Sequence, residues 1–307
     1  MKLVSITDNP APEGAITGSV KTRDGVSLRY ARWDGQARAK GTVCLLQGRT
    51  EFIEKYFEVV RELRSRGFAV VAFDWRGQGL SERVLPDRQK GHVESFGQYD
   101  LDLETVIEQI VLPNCSPPLI GLAHSMGGAV LLRSAAGKDR HFERIVLTSP
   151  MVGLPHIGSS ALARGVVHAM RFFGFGTSYI PGGHGIDIRP FADNKYTSDP
   201  ERYARNLAIL AAEPALGIGS PTIAWTDSAL EAMHAFADAS YPAKIRDRTL
   251  IVAAGQDEIA STDASRTFAS RSAAVSHIVV EGARHELLIE QDRYRAQFWS
   301  AFDSFTA

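Results

Sequence analysis

Cysteine is scarce: two in 307 residues, too few for the disulfide framework that staples small secreted domains. Cys44 sits inside the apolar run Thr42-Val-Cys-Leu-Leu46 and Cys115 in a proline-flanked loop, settings that suit reduced thiols in a cytosolic chain. An excess of either charge is also missing. Against 34 Lys and Arg stand 35 Asp and Glu, a net charge of -1 with the signs interspersed. No basic stripe can track a phosphate backbone, and nucleic acid is not an expected partner. No apolar run reaches the about 20 residues that cross a bilayer, and residues 1–10 lack the apolar core of a signal peptide. The expected location is cytoplasmic, with peripheral membrane contact left open. Motifs for prosthetic chemistry are absent too. There is no His-Glu-x-x-His and no Cys-x-x-Cys, so no dedicated metal site is expected. Gly77-Gln-Gly79 is followed by Glu82 where a dinucleotide fingerprint needs glycine, and no cofactor is expected.

What is present is enough apolar material, 44% of residues, for one large domain with an insertion. Residues 17–34 alternate as two short strands around the turn Arg23-Asp-Gly25, an antiparallel edge. From residue 41 the rhythm changes to continuous apolar strands separated by amphipathic helices. The strands are 41–46, 68–73, 118–123 and 144–148, and the helices 51–66, 96–112 and the run after Ser125. In 51–66 Ile53, Tyr56, Phe57, Val60 and Leu63 share one helical face, and Gly67 closes it. Uniformly apolar strands alternating with helices mean a mostly parallel sheet covered on both faces, an α/β fold. The rhythm stops at Pro150 and resumes with the strand 249–254, a helix near 262–272, the strand 276–280 and a terminal helix. The expected organisation is a core of residues 1–150 and 239–307 with a helical cap, 151–238, inserted between them.

One stretch carries chemistry. Pro118-Leu-Ile-Gly-Leu-Ala-His-Ser125-Met-Gly-Gly128 is a buried strand, one serine, two glycines and a helix-forming run. That is the layout of a nucleophile elbow, where a tight turn lifts the serine above the sheet. Serine needs a base to take its proton and a third group to orient that base. In open α/β sheets such groups gather beyond the carboxyl ends of the strands. His285 follows the strand 276–280, whereas His277 lies within it; Asp257 follows the strand 249–254, with Glu258 and Asp263 in reserve. The expected triad is Ser125, Asp257 and His285, in the hydrolase order of Ser, Asp, His. Backbone N–H groups of Met126 and Arg49 are the expected oxyanion donors. His124 reads as a packing or hydrogen-bonding neighbour.

Gln47-Gly-Arg-Thr-Glu51 with Lys55-Tyr56, Asp74-Trp-Arg-Gly-Gln-Gly-Leu-Ser81, Ala123-His-Ser-Met-Gly-Gly128, Gly255-Gln-Asp257 and Ala283-Arg-His285 together resemble the α/β-hydrolase superfamily. More narrowly they are similar to its monoacylglycerol lipase and bacterial lysophospholipase branch, also called serine aminopeptidase-like. Gln47 stands where that branch usually has histidine, and Ala123 replaces an elbow glycine. The resemblance implies an α/β-hydrolase core with a lid, and hydrolysis of carboxylic esters of single-acyl-chain lipids through an acyl-enzyme. The alternatives are a peptidase releasing N-terminal residues, with Glu213 or Asp227 to hold the free amine, and a non-catalytic ligand-binding protein of the same fold.

The cap helix carries Leu162, Val166, Met170 and Phe173 on one face, with Phe172 and Phe175 beside it. Such a stripe either packs on the core or, as the resemblance implies, faces lipid. Trp225 is a candidate pocket residue. Arg49 has two readings: solvated and paired with Glu51, or aimed at the pocket mouth to favour a phosphate head group.

Overall fold

The computed structural model describes residues 2–35, 39–155 and 161–307. The expected cap includes residues 156–160, and the expected core residues 1 and 36–38, which lie outside the described residues. Among the described residues eight strands form one sheet, in the order β1-β2-β4-β3-β5-β6-β7-β8. The hairpin β1 (Ala15–Lys21) and β2 (Ser27–Trp33) is antiparallel, turning through Gly25 at φ 90°. From β3 (Thr42–Leu46) and β4 (Ala69–Phe73) through β5 (Leu119–His124), β6 (Arg144–Thr148), β7 (Arg248–Ala254) and β8 (Val275–Val280) the pairing is parallel.

Successive strand residues point to opposite faces, and the two faces carry separate cores. Val43, Leu45, Val70, Ala72, Ile120 and Leu122 face α1 (Phe57–Ser65) and α8 (Asp292–Thr306). Cys44, Leu46, Val71, Phe73, Ala123 and Leu147 face α2 (Phe96–Val106), α3 (Met126–Ala135) and α6 (Ile223–Ala237). Neither Cys44 nor Cys115 is in a disulfide. The helix expected over 51–66 begins as a 3-10 turn, Ile53–Tyr56, and becomes α1. Gly67, at φ 91°, ends it, with Phe68 N–H donating to Leu63 at 3.1 Å, the six-to-one bond of a Schellman stop.

Between β6 and β7 come α4 (Ala161–Met170), α5 (Pro200–Ala212) and α6. After β7 come α7 (Thr262–Ala269), β8 and α8. The apolar stripe of α4 does not pack on the core. Leu162 is 79% exposed and Phe173 74%; it is Val167 that touches the core instead. Helix α6 escapes sequence reading because its buried residues include Asp227 and Ser228 beside Ile223, Trp225, Leu230 and Met233, so no clean apolar stripe stands out.

Candidate active site

The loops after β3, β5, β7 and β8 meet above the carboxyl edge of the sheet. Ser125 caps α3 with φ 50° and ψ -114°, a conformation that costs energy for a residue with a Cβ and persists only where its surroundings impose it. Its N–H donates to Thr148 at 3.1 Å, and its carbonyl accepts from Met151 at 3.0 Å and Ala129 at 3.1 Å. Gly127 lets the helix close on β3, since a Cβ there would lie 2.5 Å from the Gln47 carbonyl oxygen. Ala123 is fully buried in β5, so the elbow accommodates its methyl group.

Ser125 Oγ lies 3.0 Å from His285 Nε2, and His285 Nδ1 lies 2.8 Å from Asp257 Oδ2. Asp257 Oδ1 accepts from the N–H groups of Ile259 and Ala260, each at 2.8 Å. Burial pushes its carboxyl upward, but the hydrogen bond and positive charge of His285 and these two N–H donors outweigh it and hold the group below the usual range. The reserve acids point elsewhere: Glu258 pairs with Lys195 and Asp263 with Arg266, both at the surface. His277 bonds Ser265 at 3.0 Å. His124 tilts against the His285 ring, centroids 4.7 Å apart, with Nδ1 3.1 Å from the Thr148 carbonyl. Burial pushes it down to about 4, so it stays neutral and does not compete for the proton.

In the loop after β3 the N–H groups are sorted. Gly48 N–H donates to Glu51 at 2.5 Å and Thr50 N–H to Gln78 at 3.0 Å, leaving that of Arg49, like that of Met126 at the first turn of α3, without an acceptor among the described residues. A dense set of buried groups holds this loop. Glu51 also accepts from Tyr56 at 2.6 Å and pairs with Lys55 at 2.8 Å, and Lys55 reaches Glu286 at 2.7 Å. Burial raises the Glu51 carboxyl, but Lys55, His124 and Tyr56 bring it down to about 2. Asp74 accepts from Ile53 N–H at 3.0 Å, Leu80 N–H at 2.8 Å and the Arg29 Nε at 2.7 Å. Gln47, with its amide assigned to donate to the Phe73 carbonyl at 3.2 Å, is part of the same packing. Glu286 had no role in the sequence reading, and Glu51 and Lys55 entered it only as motif residues and as a partner for Arg49; the i, i+4 spacing of Glu51 and Lys55 was the available signal for their pairing.

Over the serine lies a cavity of about 180 Å³, lined on its apolar side by Met151, Leu154, Trp225, Leu230 and Met233. Trp225 donates from Nε1 to Tyr99 at 3.1 Å. The Arg49 side chain lines it too, and the expected pairing with Glu51 is not there: Glu51 belongs to Lys55, and among the described residues Arg49 has no ion pair. Of the carboxylates considered for a free amine, Glu213 caps Ala215, Asp227 bonds Arg171 at 3.1 Å, and neither lines the cavity. His168, Asp227 and Glu231 come close enough to share an ion, but Arg171 already occupies the side of Asp227 that an ion would need.

Residues 37–292 match the family described as serine aminopeptidase, S33. The chain belongs to this family. The chain is similar to lysophospholipase L2 of Escherichia coli strain K12, 33% identical over 285 residues, covering 89% of this chain and 82% of that protein. A probable lysophospholipase L2 of Haemophilus influenzae is 28% identical over 272 residues, 88% and 85% of the two chains. Among solved structures, a soluble variant of monoglyceride lipase from Saccharomyces cerevisiae, in complex with a substrate analogue, superposes with a TM-score of 0.74. It is 21% identical and covers 95% of this chain and 96% of that one. The fold is that of the α/β-hydrolases, in the branch that holds the lysophospholipases and monoacylglycerol lipases.

Proposed function

We propose that the protein is a serine hydrolase cleaving the carboxylic ester of single-acyl-chain lipids, lysophospholipids or monoacylglycerols, through an acyl-enzyme. The observation that carries this reading is Ser125 Oγ, 3.0 Å from His285 Nε2, opening onto a largely apolar cavity. In this reading Ser125 attacks the ester carbonyl while His285 Nε2 takes its proton, and Asp257 stabilises the imidazolium through Nδ1–H. The N–H groups of Arg49 and Met126 hold the oxyanion. His285 returns the proton to the departing glycerol oxygen, and the acyl chain stays on Ser125. Water, deprotonated by the same imidazole, then attacks the acyl-enzyme and releases a fatty acid. Met151, Leu154, Trp225, Leu230 and Met233 are the surface against which that chain lies.

In the same reading residues 151–238 form the cap, and the rest of the chain the core. Among the described residues no helix is long and apolar enough to cross a membrane. The exposed Leu162, Val166, Phe172 and Phe173 are the face that would meet a lipid surface, from the cytoplasmic side if the chain is cytoplasmic as its sequence suggests.

The test is fluorophosphonate labelling together with an ester panel. Ser125 is expected to be labelled, and lysophosphatidylcholine and monoacylglycerols to turn over well ahead of amino-acid amides. Faster turnover of the amides makes the chain a peptidase, and no labelling makes it a binding protein.

A further inference from the structure

We propose that the Arg49 guanidinium is the recognition point for the phosphodiester of a lysophospholipid head group, making Arg49 the residue that sets preference for lysophospholipid over monoacylglycerol. The inference rests on the ester-hydrolase reading of the same site. Arg49 stands where the apolar cavity meets a second one of about 490 Å³, which is more polar and includes Lys55, His184 and Asn206 in its walls. The two share Arg49, Thr50, Tyr196, Ile259 and Glu286. An ester whose carbonyl sits at Ser125 can therefore lay its acyl chain in one and its head group in the other.

The guanidinium is held in place and left unsatisfied. Its Cζ lies 5.3 Å from the centre of the Trp225 ring, one terminal nitrogen donates to the Gly219 carbonyl, and Nε is buried with no acceptor. The absence of a side chain at residue 91 makes room for it, since a Cβ there would lie 2.9 Å from Arg49 Nη2. Arg29 and Arg76, buried elsewhere, are each matched by carboxylates. Arg83, also without one, spends its terminal nitrogens on the carbonyls of Gly77, Gly79, Ala215 and Gly217. Among the described residues Arg49 has one such bond, and a desolvated arginine with free donors is costly unless something else supplies the counter-charge. Burial brings the group down to about 10, which still leaves it charged at neutral pH.

Chemistry selects the counter-charge. A guanidinium offers a planar fork of five N–H donors that matches phosphate oxygens two at a time. The backbone N–H of the same residue faces the oxyanion position in the proposed mechanism, so one residue serves both the ester carbonyl and, through its side chain, the phosphate that a lysophospholipid carries at the other end of its glycerol. A monoacylglycerol brings only hydroxyls and leaves the charge unmatched, and a site built around a charged hydrogen bond discriminates strongly against a ligand that lacks it. A free amine, the mark of a peptidase substrate, is repelled.

The test compares lauroyl lysophosphatidylcholine with 1-lauroylglycerol in the same neutral detergent micelles, for the wild type, Arg49→Gln and Arg49→Lys, with fluorophosphonate labelling to confirm a folded site. The ratio of kcat/KM for the two esters is expected to fall at least tenfold in Arg49→Gln and less in Arg49→Lys, which keeps the charge but loses the fork. An equal loss on both esters, or no loss on either, overturns the assignment and leaves the hydrolase reading standing. A wild type that labels but hydrolyses neither ester overturns the lipid reading and this inference with it. Calorimetry on Ser125→Ala separates a head group from a free anion. Lysophosphatidylcholine is expected to bind at least tenfold tighter than to Ser125→Ala/Arg49→Gln, with inorganic phosphate bound by neither. Phosphate binding that depends on Arg49 as strongly would make this a free-anion site and overturn the head-group assignment.

Discussion

On the floor of the cavity Ser125, Asp257 and His285 each follow the end of a parallel strand, and His285 is hydrogen-bonded to both of the others. The cover changes character along one stretch of chain: α6 buries ten of its fifteen residues, whereas α4, whose His168 lies 3.5 Å from Asp227 of α6, buries none. A segment contiguous in sequence thus serves two layers. Helix α6 shares the core of α2 and the sheet and also roofs the cavity, while α4 reaches that core through Val167 and does not line the cavity. The difference follows from what each helix can hide, because α6 turns Trp225, Ala229, Leu230, Met233 and Phe236 into the core and leaves Glu231 and His234 outside, whereas α4 carries Leu162 and Val166 on a face that stays exposed among the described residues.

This contrast orders the expected effects of mutation. On the floor, Ser125→Ala and His285→Ala are each expected to lower kcat on a p-nitrophenyl ester by about 10⁴ or more, with the double mutant no worse than either. Asp257→Asn should cost about 10²- to 10⁴-fold, since it misorients the imidazole rather than removing it. Near-normal turnover in Asp257→Asn would break the picture of a floor in which each group depends on the next.

One step back from the floor, Glu51→Gln frees the loop that presents Arg49 N–H and should lower kcat on the order of tenfold to a hundredfold, less than deleting an oxyanion donor outright. It also has a signature in pH. The Glu51 carboxyl titrates at about 2 in the folded chain against an ordinary 4.5. Its contribution to stability is therefore complete above pH 4.5 and lost as pH falls through about 2. Chemical denaturation across that window should show a shallower loss of stability in Glu51→Gln than in the wild type; parallel curves would mean the carboxylate is not held by its partners.

The cover should divide between its two helices. Trp225→Ala removes a side chain packed on Phe96 and bonded to Tyr99, and is expected to lower unfolding free energy by about 3 kcal/mol. The smallest effect is expected outside. Phe172→Ser and Phe173→Ser should leave stability within about 0.5 kcal/mol while weakening sedimentation with lysophospholipid-containing vesicles. A loss above 1 kcal/mol in these exposed variants would show that the outer helix is part of the core after all.

How far the sequence could be read depended on where a residue's partners lie. The elbow is local, a strand, a serine and glycines within ten residues, so its turn is legible from composition alone. Asp257 and His285 were reachable because strand ends in a parallel sheet share one edge. Arg49 was not. Its surroundings come from Gly91, Gly219 and Trp225, on three distant stretches, and the nearby Glu51 that suggested a pairing is claimed by Lys55 and Tyr56. The stripe on α4 was visible, yet whether anything would cover it could not be read from periodicity, which records amphipathicity and not the partner.

By itself the sequence determined the alternation of strands and helices outside residues 151–238 and the one point where a serine must leave the sheet, because apolar periodicity and steric freedom at glycine are properties of neighbouring residues. Tertiary structure alone decided which acids are spent on ion pairs, which N–H groups remain to meet a substrate, and which arginine is left with donors to offer. Those are questions of desolvation and geometry between groups far apart in the chain, settled only when the loops from four strands close around one cavity.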